Sequence, residues 1–194
     1  MIEEKGAATE KFDVILADPP WSYYSWDENT GPNGRTAAKH YSVMSVEEIA
    51  ALPVDDLVAD NCALFLWAVW PDIFRARDVI RAWGFTYRTI AWVWAKLNPS
   101  SVGFHYGLGY YTRANTEPCL LAVRGSMPPA VKDVQALIVS PVREHSRKPD
   151  EQYGKIERLY PNTRRIELFA RYERPGWYVW GNEVESGIEL RIEE

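Results

Sequence analysis

The residues best suited to chemistry are Asp18, Pro19, Pro20 and Trp21, which follow directly on the apolar, β-branched run Phe12-Asp-Val-Ile-Leu-Ala17. The run reads as a central strand, and the prolines end it because they have no backbone N–H to give a sheet. The tetrapeptide therefore sits at a strand's carboxyl end, where open α/β sheets bind ligands. The chemistry this suggests is on an exocyclic amine. The lone pair of a planar nucleobase amine is delocalised into its ring, and the Asp18 carboxylate and Pro19 carbonyl can each accept one amine hydrogen and localise it. The tertiary Pro19-Pro20 amide holds that carbonyl rigid and adds no competing donor. Trp21 can stack on a base removed from its helix. A strand-ending turn with an incidental tryptophan is the plainer alternative.

A second strand end offers different chemistry. Ile166-Glu-Leu-Phe-Ala-Arg171 and, after a short connector, Trp177-Tyr-Val-Trp-Gly-Asn-Glu183 read as two strands. An amide or acid just past a strand is well placed to hold ribose hydroxyls, which nominates Asn182 and Glu183. No GxGxxG lies near the amino end, so a cofactor region must follow the catalytic strand. Lys96, at another strand end, either contacts substrate phosphate or snorkels. The stretch 98–115 is glycine- and aromatic-rich without periodicity and reads as a long mobile loop, whose tyrosines and Arg113 could brace a nucleic-acid strand. Cys62 and Cys119 form no CxxC pair, and His40, His105 and His145 have no metal spacing; buried or free thiols and no metal are expected.

These groups need a scaffold. Strand candidates fall at 12–17, 63–69, 87–95, 117–124, 135–140, 164–169 and 177–181, with helical patterns at 45–52, 72–83 and 149–160. Ser45 and Glu48 form a capping box for the first helix; the second opens near Pro71 and stops at Gly84. Alternating strands and helices predict a Rossmann-like α/β fold: a mostly parallel sheet of about seven strands, helices on both faces, and an antiparallel hairpin where strands crowd at the end. The expected organisation is a flexible segment 1–11, a catalytic domain 12–183 and an acidic tail 184–194.

With 194 residues, 46% of them hydrophobic, the chain can bury a full core. No apolar stretch approaches 20 residues and the amino terminus lacks a signal-peptide core, so the reading is a soluble, cytoplasmic protein without membrane association. The net charge of −5 argues against gripping nucleic acid by electrostatics alone. That charge lies at the ends, however: 183–194 carries −4 and 1–11 carries −1, leaving 12–182 about neutral. Within it, Arg143, Arg147, Lys148, Lys155, Arg158, Arg164, Arg165, Arg171 and Arg174 form either a basic rim or a solvated mixed face.

The whole pattern resembles the MT-A70 family of adenine N6-methyltransferases. The resemblance is carried by Asp18-Pro-Pro-Trp21, His40-Tyr-Ser-Val-Met-Ser45, Leu64-Phe-Leu-Trp67, Trp94-Ala-Lys96, Asn115-Thr-Glu117 with Cys119-Leu-Leu, Ser146-Arg-Lys-Pro-Asp150, Ile166 to Arg171 and Gly181-Asn182, in the family's order. It implies a permuted Rossmann-like methyltransferase that uses S-adenosylmethionine to methylate N6 of adenine, with Asp18 touching both substrate and cofactor. It further implies that Lys148 pairs with the methionine carboxylate, that Arg171 lies on the cofactor side, and that Asn182 and Glu183 hold the ribose, although the family often has an amide at the latter. Tyr41 and Trp67 match pocket-lining aromatics, though by composition each reads more readily as core. The resemblance also implies that Asn115 and Glu117 close the cofactor and substrate side of the 98–115 loop. DNA is favoured over RNA as substrate, and a homo- or heterodimer is possible. The alternatives are RNA adenosine, a non-catalytic partner subunit, and a small-molecule amine methyltransferase.

Overall fold

The computed structural model describes residues 11–22, 43–107, 109, 111–144, 147–186, 188 and 190. Tyr41 and the expected flexible segment 1–11, apart from Lys11, lie outside the described residues, as does part of the expected tail. Seven strands, β1 (Phe12–Ala17), β2 (Val58–Trp67), β3 (Thr86–Leu97), β4 (Thr116–Arg124), β5 (Leu137–Pro141), β6 (Arg165–Leu168) and β7 (Tyr178–Trp180), form one sheet in the order β5-β3-β4-β2-β1-β6-β7. Three helices, α1 (Val46–Ala50), α2 (Ile73–Ala82) and α3 (Glu151–Leu159), cover it.

Side-chain alternation along β1 decides what each face buries. Ile15 and Ala17 point into one core with Val46 and Ile49 of α1 and Ala76, Val79 and Ile80 of α2. Val14 and Leu16 point into the other with Phe65, Trp92 and, from α3, Ile156. β1 therefore carries apolar side chains on both faces, as a central parallel strand must. Ser45 caps α1 reciprocally with Glu48: the Glu48 N–H donates to Ser45 Oγ at 3.1 Å, and the Ser45 N–H to Glu48 Oε2 at 2.6 Å. A 3-10 turn, Trp70–Asp72, leads into α2, and Gly84 ends that hairpin of structure with φ +78°, a conformation glycine adopts without steric cost.

Strand direction differs from expectation in one place. β6 and β7, the crowded final pair, are parallel; the antiparallel strand is β4, inside the sheet between β3 and β2. Among the described residues no helix separates β3 from β4, and the chain returns beside β3 in the antiparallel sense. This reversal has a functional consequence. β1, β2 and β3 end at the edge where β4 begins, so residues at the start of β4 join those at the ends of its neighbours. Among the described residues, no helix is long and apolar enough to cross a membrane.

Candidate active site

Four charged side chains from four segments meet at this edge. Asp18 follows β1, Lys96 lies near the end of β3, Glu117 is the second residue of β4, and Lys148 precedes α3. Lys148 Nζ stands 2.9 Å from each Asp18 carboxylate oxygen and 3.1 Å from Glu117 Oε1, while Lys96 Nζ is 2.8 Å from Glu117 Oε2. The result is a continuous chain, Lys96–Glu117–Lys148–Asp18, with two charges of each sign. Lys148 is therefore no solvated surface charge but a buried bridge. Lys96, read as contacting phosphate or snorkelling, pairs with Glu117 and lies 5.0 Å from the Trp94 ring.

Burial and pairing act oppositely along this chain. Burial pushes the Asp18 carboxyl above the usual carboxylate range, and Lys148 offsets that only in part. Burial would raise Glu117 as well, but Lys148 and Lys96 together hold it below its ordinary value. Lys148 would be depressed by burial; Asp18 and Glu117 instead hold its ammonium well above the ordinary lysine range. Lys148 thus stays charged, and Asp18 is the more weakly held carboxylate. Its side chain is 26% exposed, facing outward from the network.

Asp18 opens onto two cavities. One, about 290 Å³, is bordered by Asp18, Pro20, Met44, Arg171, Asn182 and Glu183. The other, about 100 Å³, is bordered by Asp18, Lys148, Tyr153, Glu167, Arg171 and Arg174. Asp18, Phe169 and Arg171 border both. Arg171 Nε lies 3.6 Å from Glu183 Oε1. Gly181 is required at this wall, because a Cβ there would collide with the Ala170 carbonyl oxygen; the close approach of the chains sets Asn182 and Glu183 beside Asp18.

Sequence reasoning missed Phe169 and Glu167. Phe169, at the junction of the cavities, has φ +62°, a strained conformation for a bulky residue, and its ring packs edge-on against Trp180 at 5.4 Å. Nothing local in the sequence marks a phenylalanine for positive φ. Glu167 is pushed up to about 7 by burial, although it accepts a 2.9 Å hydrogen bond from the Tyr153 hydroxyl. Its place in the strand Ile166-Glu-Leu, between two apolar residues, was the available signal.

Trp21 is only 5% exposed and packs in the core, with its indole N–H donated to the Trp67 carbonyl at 2.9 Å. It braces β1 against β2 and borders neither of these two cavities. Trp67, expected at the pocket wall, is 1% exposed; its N–H donates to Gln152 Oε1 at 2.7 Å and its ring lies 5.5 Å from the Lys148 ammonium. The Pro19 carbonyl accepts the Trp21 N–H at 2.9 Å, leaving one lone pair for another donor. Asn115 contributes its carbonyl, which accepts the Lys96 N–H at 2.9 Å and returns the long connection into β4. The basic residues are largely engaged: Arg143, Arg147 and Arg174 converge on Asp150, and Arg158 pairs with Asp133. Cys62 and Cys119 are buried free thiols, both pushed upward by burial.

Comparison with known proteins points the same way as the geometry. The MT-A70 family model matches residues 12–183. The chain is 32% identical to the type II methyltransferase M.MunI of a Mycoplasma species, over 93% of this chain and 82% of that protein. It is 35% identical to the N(6)-adenosine-methyltransferase MT-A70-like protein of Drosophila melanogaster, and 33% identical to the human N(6)-adenosine-methyltransferase catalytic subunit METTL3. These matches cover 93% of this chain but only 28% and 29% of those longer proteins. With an acid-proline-proline-tryptophan strand end opening onto paired cavities, and with a family match spanning nearly all of the described sheet, the chain belongs to the MT-A70 family of adenine N6-methyltransferases.

Proposed function

We propose that this chain transfers a methyl group from S-adenosylmethionine to N6 of adenine in DNA. The observation that carries the reading is the Asp18 carboxylate, fixed by Lys148 and open to both cavities. Held in this way, it can accept an N6 hydrogen while Lys148 limits its rotation. The remaining lone pair of the Pro19 carbonyl suits the second hydrogen. Together they would localise the amine lone pair for in-line attack, so that positioning and electrostatics supply most of the rate. Because burial raises its pKa, Asp18 is also suited to take the proton that N6 sheds.

The residues present fit the donor. The smaller cavity offers both signs of charge, as an amino-acid zwitterion requires: Lys148, Arg171 and Arg174 against Asp18 and Glu167. Asn182 and Glu183 on the larger cavity would hold ribose hydroxyls, with Arg171 orienting Glu183. When bound, S-adenosylmethionine supplies a methyl group already made electrophilic by its positive sulfur.

DNA is favoured because the match runs along 82% of the type II methyltransferase, whereas the adenosine methyltransferases are matched over less than a third of their length. The comparable identity to those proteins supports RNA as the second reading. The test is incubation with radiolabelled S-adenosylmethionine and, separately, single-stranded DNA, duplex DNA and RNA, scoring N6-methyladenine against Asp18→Ala. Label in DNA that vanishes in the variant is expected. Label confined to RNA moves the substrate, and no label despite cofactor binding overturns the proposal in favour of a non-catalytic partner subunit.

A further inference from the structure

We propose that Trp70, not Trp21, is the platform on which a base of the substrate strand stacks at the mouth of the site. This rests on the nucleic-acid reading above. Stacking needs an aromatic face open to solvent, and most described tryptophans have none: Trp21, Trp67, Trp83, Trp92, Trp94 and Trp177 are buried. Trp180 is half-buried in the cavity wall. Trp70 is 42% exposed.

Its position is fixed in three ways. Trp70 opens the 3-10 turn that follows β2, Pro71 restricts the next φ, and the indole N–H donates to Thr116 Oγ1 at 3.0 Å. Thr116 starts β4 and is the immediate neighbour of Glu117, which joins Lys148 and hence Asp18. The polar edge of the indole is thereby satisfied on the protein. A rigid ring held by its edge loses little freedom when a base stacks on it.

The surroundings favour stacking over phosphate contact. Phe74 is exposed one turn further along. On the connection that returns into Thr116, Tyr106 is exposed with the Arg113 guanidinium 4.9 Å from its ring. Lys96, Lys148, Arg143, Arg147 and Arg174, by contrast, are all held in ion pairs. A surface that offers aromatic faces while these cations are engaged suits the faces of unpaired bases. The strand that fits is therefore single, or locally opened.

The test measures binding of a short fluorescein-labelled, adenine-containing single strand by anisotropy, for the wild type, Trp70→Ala and Trp70→Phe, alongside methylation kinetics and melting. Trp70→Ala should weaken binding roughly tenfold and raise KM for the oligonucleotide correspondingly, with KM for S-adenosylmethionine unchanged. Trp70→Phe, which keeps an aromatic face, should retain affinity within about threefold. Unchanged affinity in Trp70→Ala overturns the inference, as does equal loss in both variants with unaltered melting. If the wild type forms N6-methyladenine but Trp70→Ala binds normally, the stacking role falls and the proposed function stands. If binding depends on Trp70 but no N6-methyladenine forms, the function falls and the platform stands. A wild type that neither binds nor methylates overturns both.

Discussion

The two sides of the site hold charge in opposite ways. On the β3–β4 side, Lys96, Glu117 and Lys148 are largely removed from water and satisfy one another at 2.8–3.1 Å. On the β6–β7 side, Arg171 and Glu183 face the larger cavity at a looser 3.6 Å, and Glu183 is exposed. A buried, closed network fixes geometry because breaking it strands a charge in a medium of low polarity. An open, loosely paired wall can exchange its partner for a ligand at little cost, because water screens what is left. Asp18 belongs to both sides, anchored by the first and exposed toward the second, which is the arrangement a polarising acceptor needs.

Substitutions should separate the two sides. The largest effect on activity is expected at their meeting point: Asp18→Ala should lower methyl transfer by at least about 10²-fold while circular dichroism shows the fold retained. A variant keeping most of its activity would remove Asp18 from the chemistry. The largest effect on stability belongs to the closed side. Lys148→Met leaves two buried carboxylates without their shared ammonium, at about 3–5 kcal/mol, and should lower Tm by roughly 10 °C. A shift under about 2 °C would show that the network is already well solvated. On the open side, Asn182→Ala should leave melting nearly unchanged and raise KM for S-adenosylmethionine about threefold to tenfold, the scale of one or two hydrogen bonds. Equal losses of stability from Asn182→Ala and Lys148→Met would erase the contrast.

The smallest expected effect is a pH dependence. Glu167, pushed up to about 7 by burial, binds a proton more tightly in the folded chain than in the unfolded one. Its contribution to stability is therefore fully present below its ordinary value of 4.5 and is lost as pH rises through about 7. Glu167→Gln should flatten the fall of Tm between these limits by a few degrees. Parallel melting profiles for the two proteins would show that Glu167 titrates normally.

Much of the scaffold was legible because it depends on local order in the chain. All seven strand candidates and all three helices were found, β1 with the expected bounds and the Ser45–Glu48 box with both bonds. The direction of β4 was less legible, since alternation marks a strand without stating which way it runs. The structure places Asp18, Asn182 and Glu183 on one cavity and pairs Lys148 with Asp18. The burial of Trp21 and Trp67 and the pairing of Lys96 with Glu117 were not legible, because a motif gives a residue's place in the chain but not how much water reaches it.

The sequence by itself determined the periodicity, the caps, the proline stop after β1 and the order of motifs, all set by neighbours a few residues apart. Only the tertiary structure decided which of the described tryptophans is most exposed, that Lys148 bridges two carboxylates, and that Phe169 sits at positive φ between two cavities. Those outcomes depend on burial and on contacts between segments as far apart as Asp18 and Lys148. Desolvation and pairing are properties of the assembled site, and no stretch of sequence contains them alone.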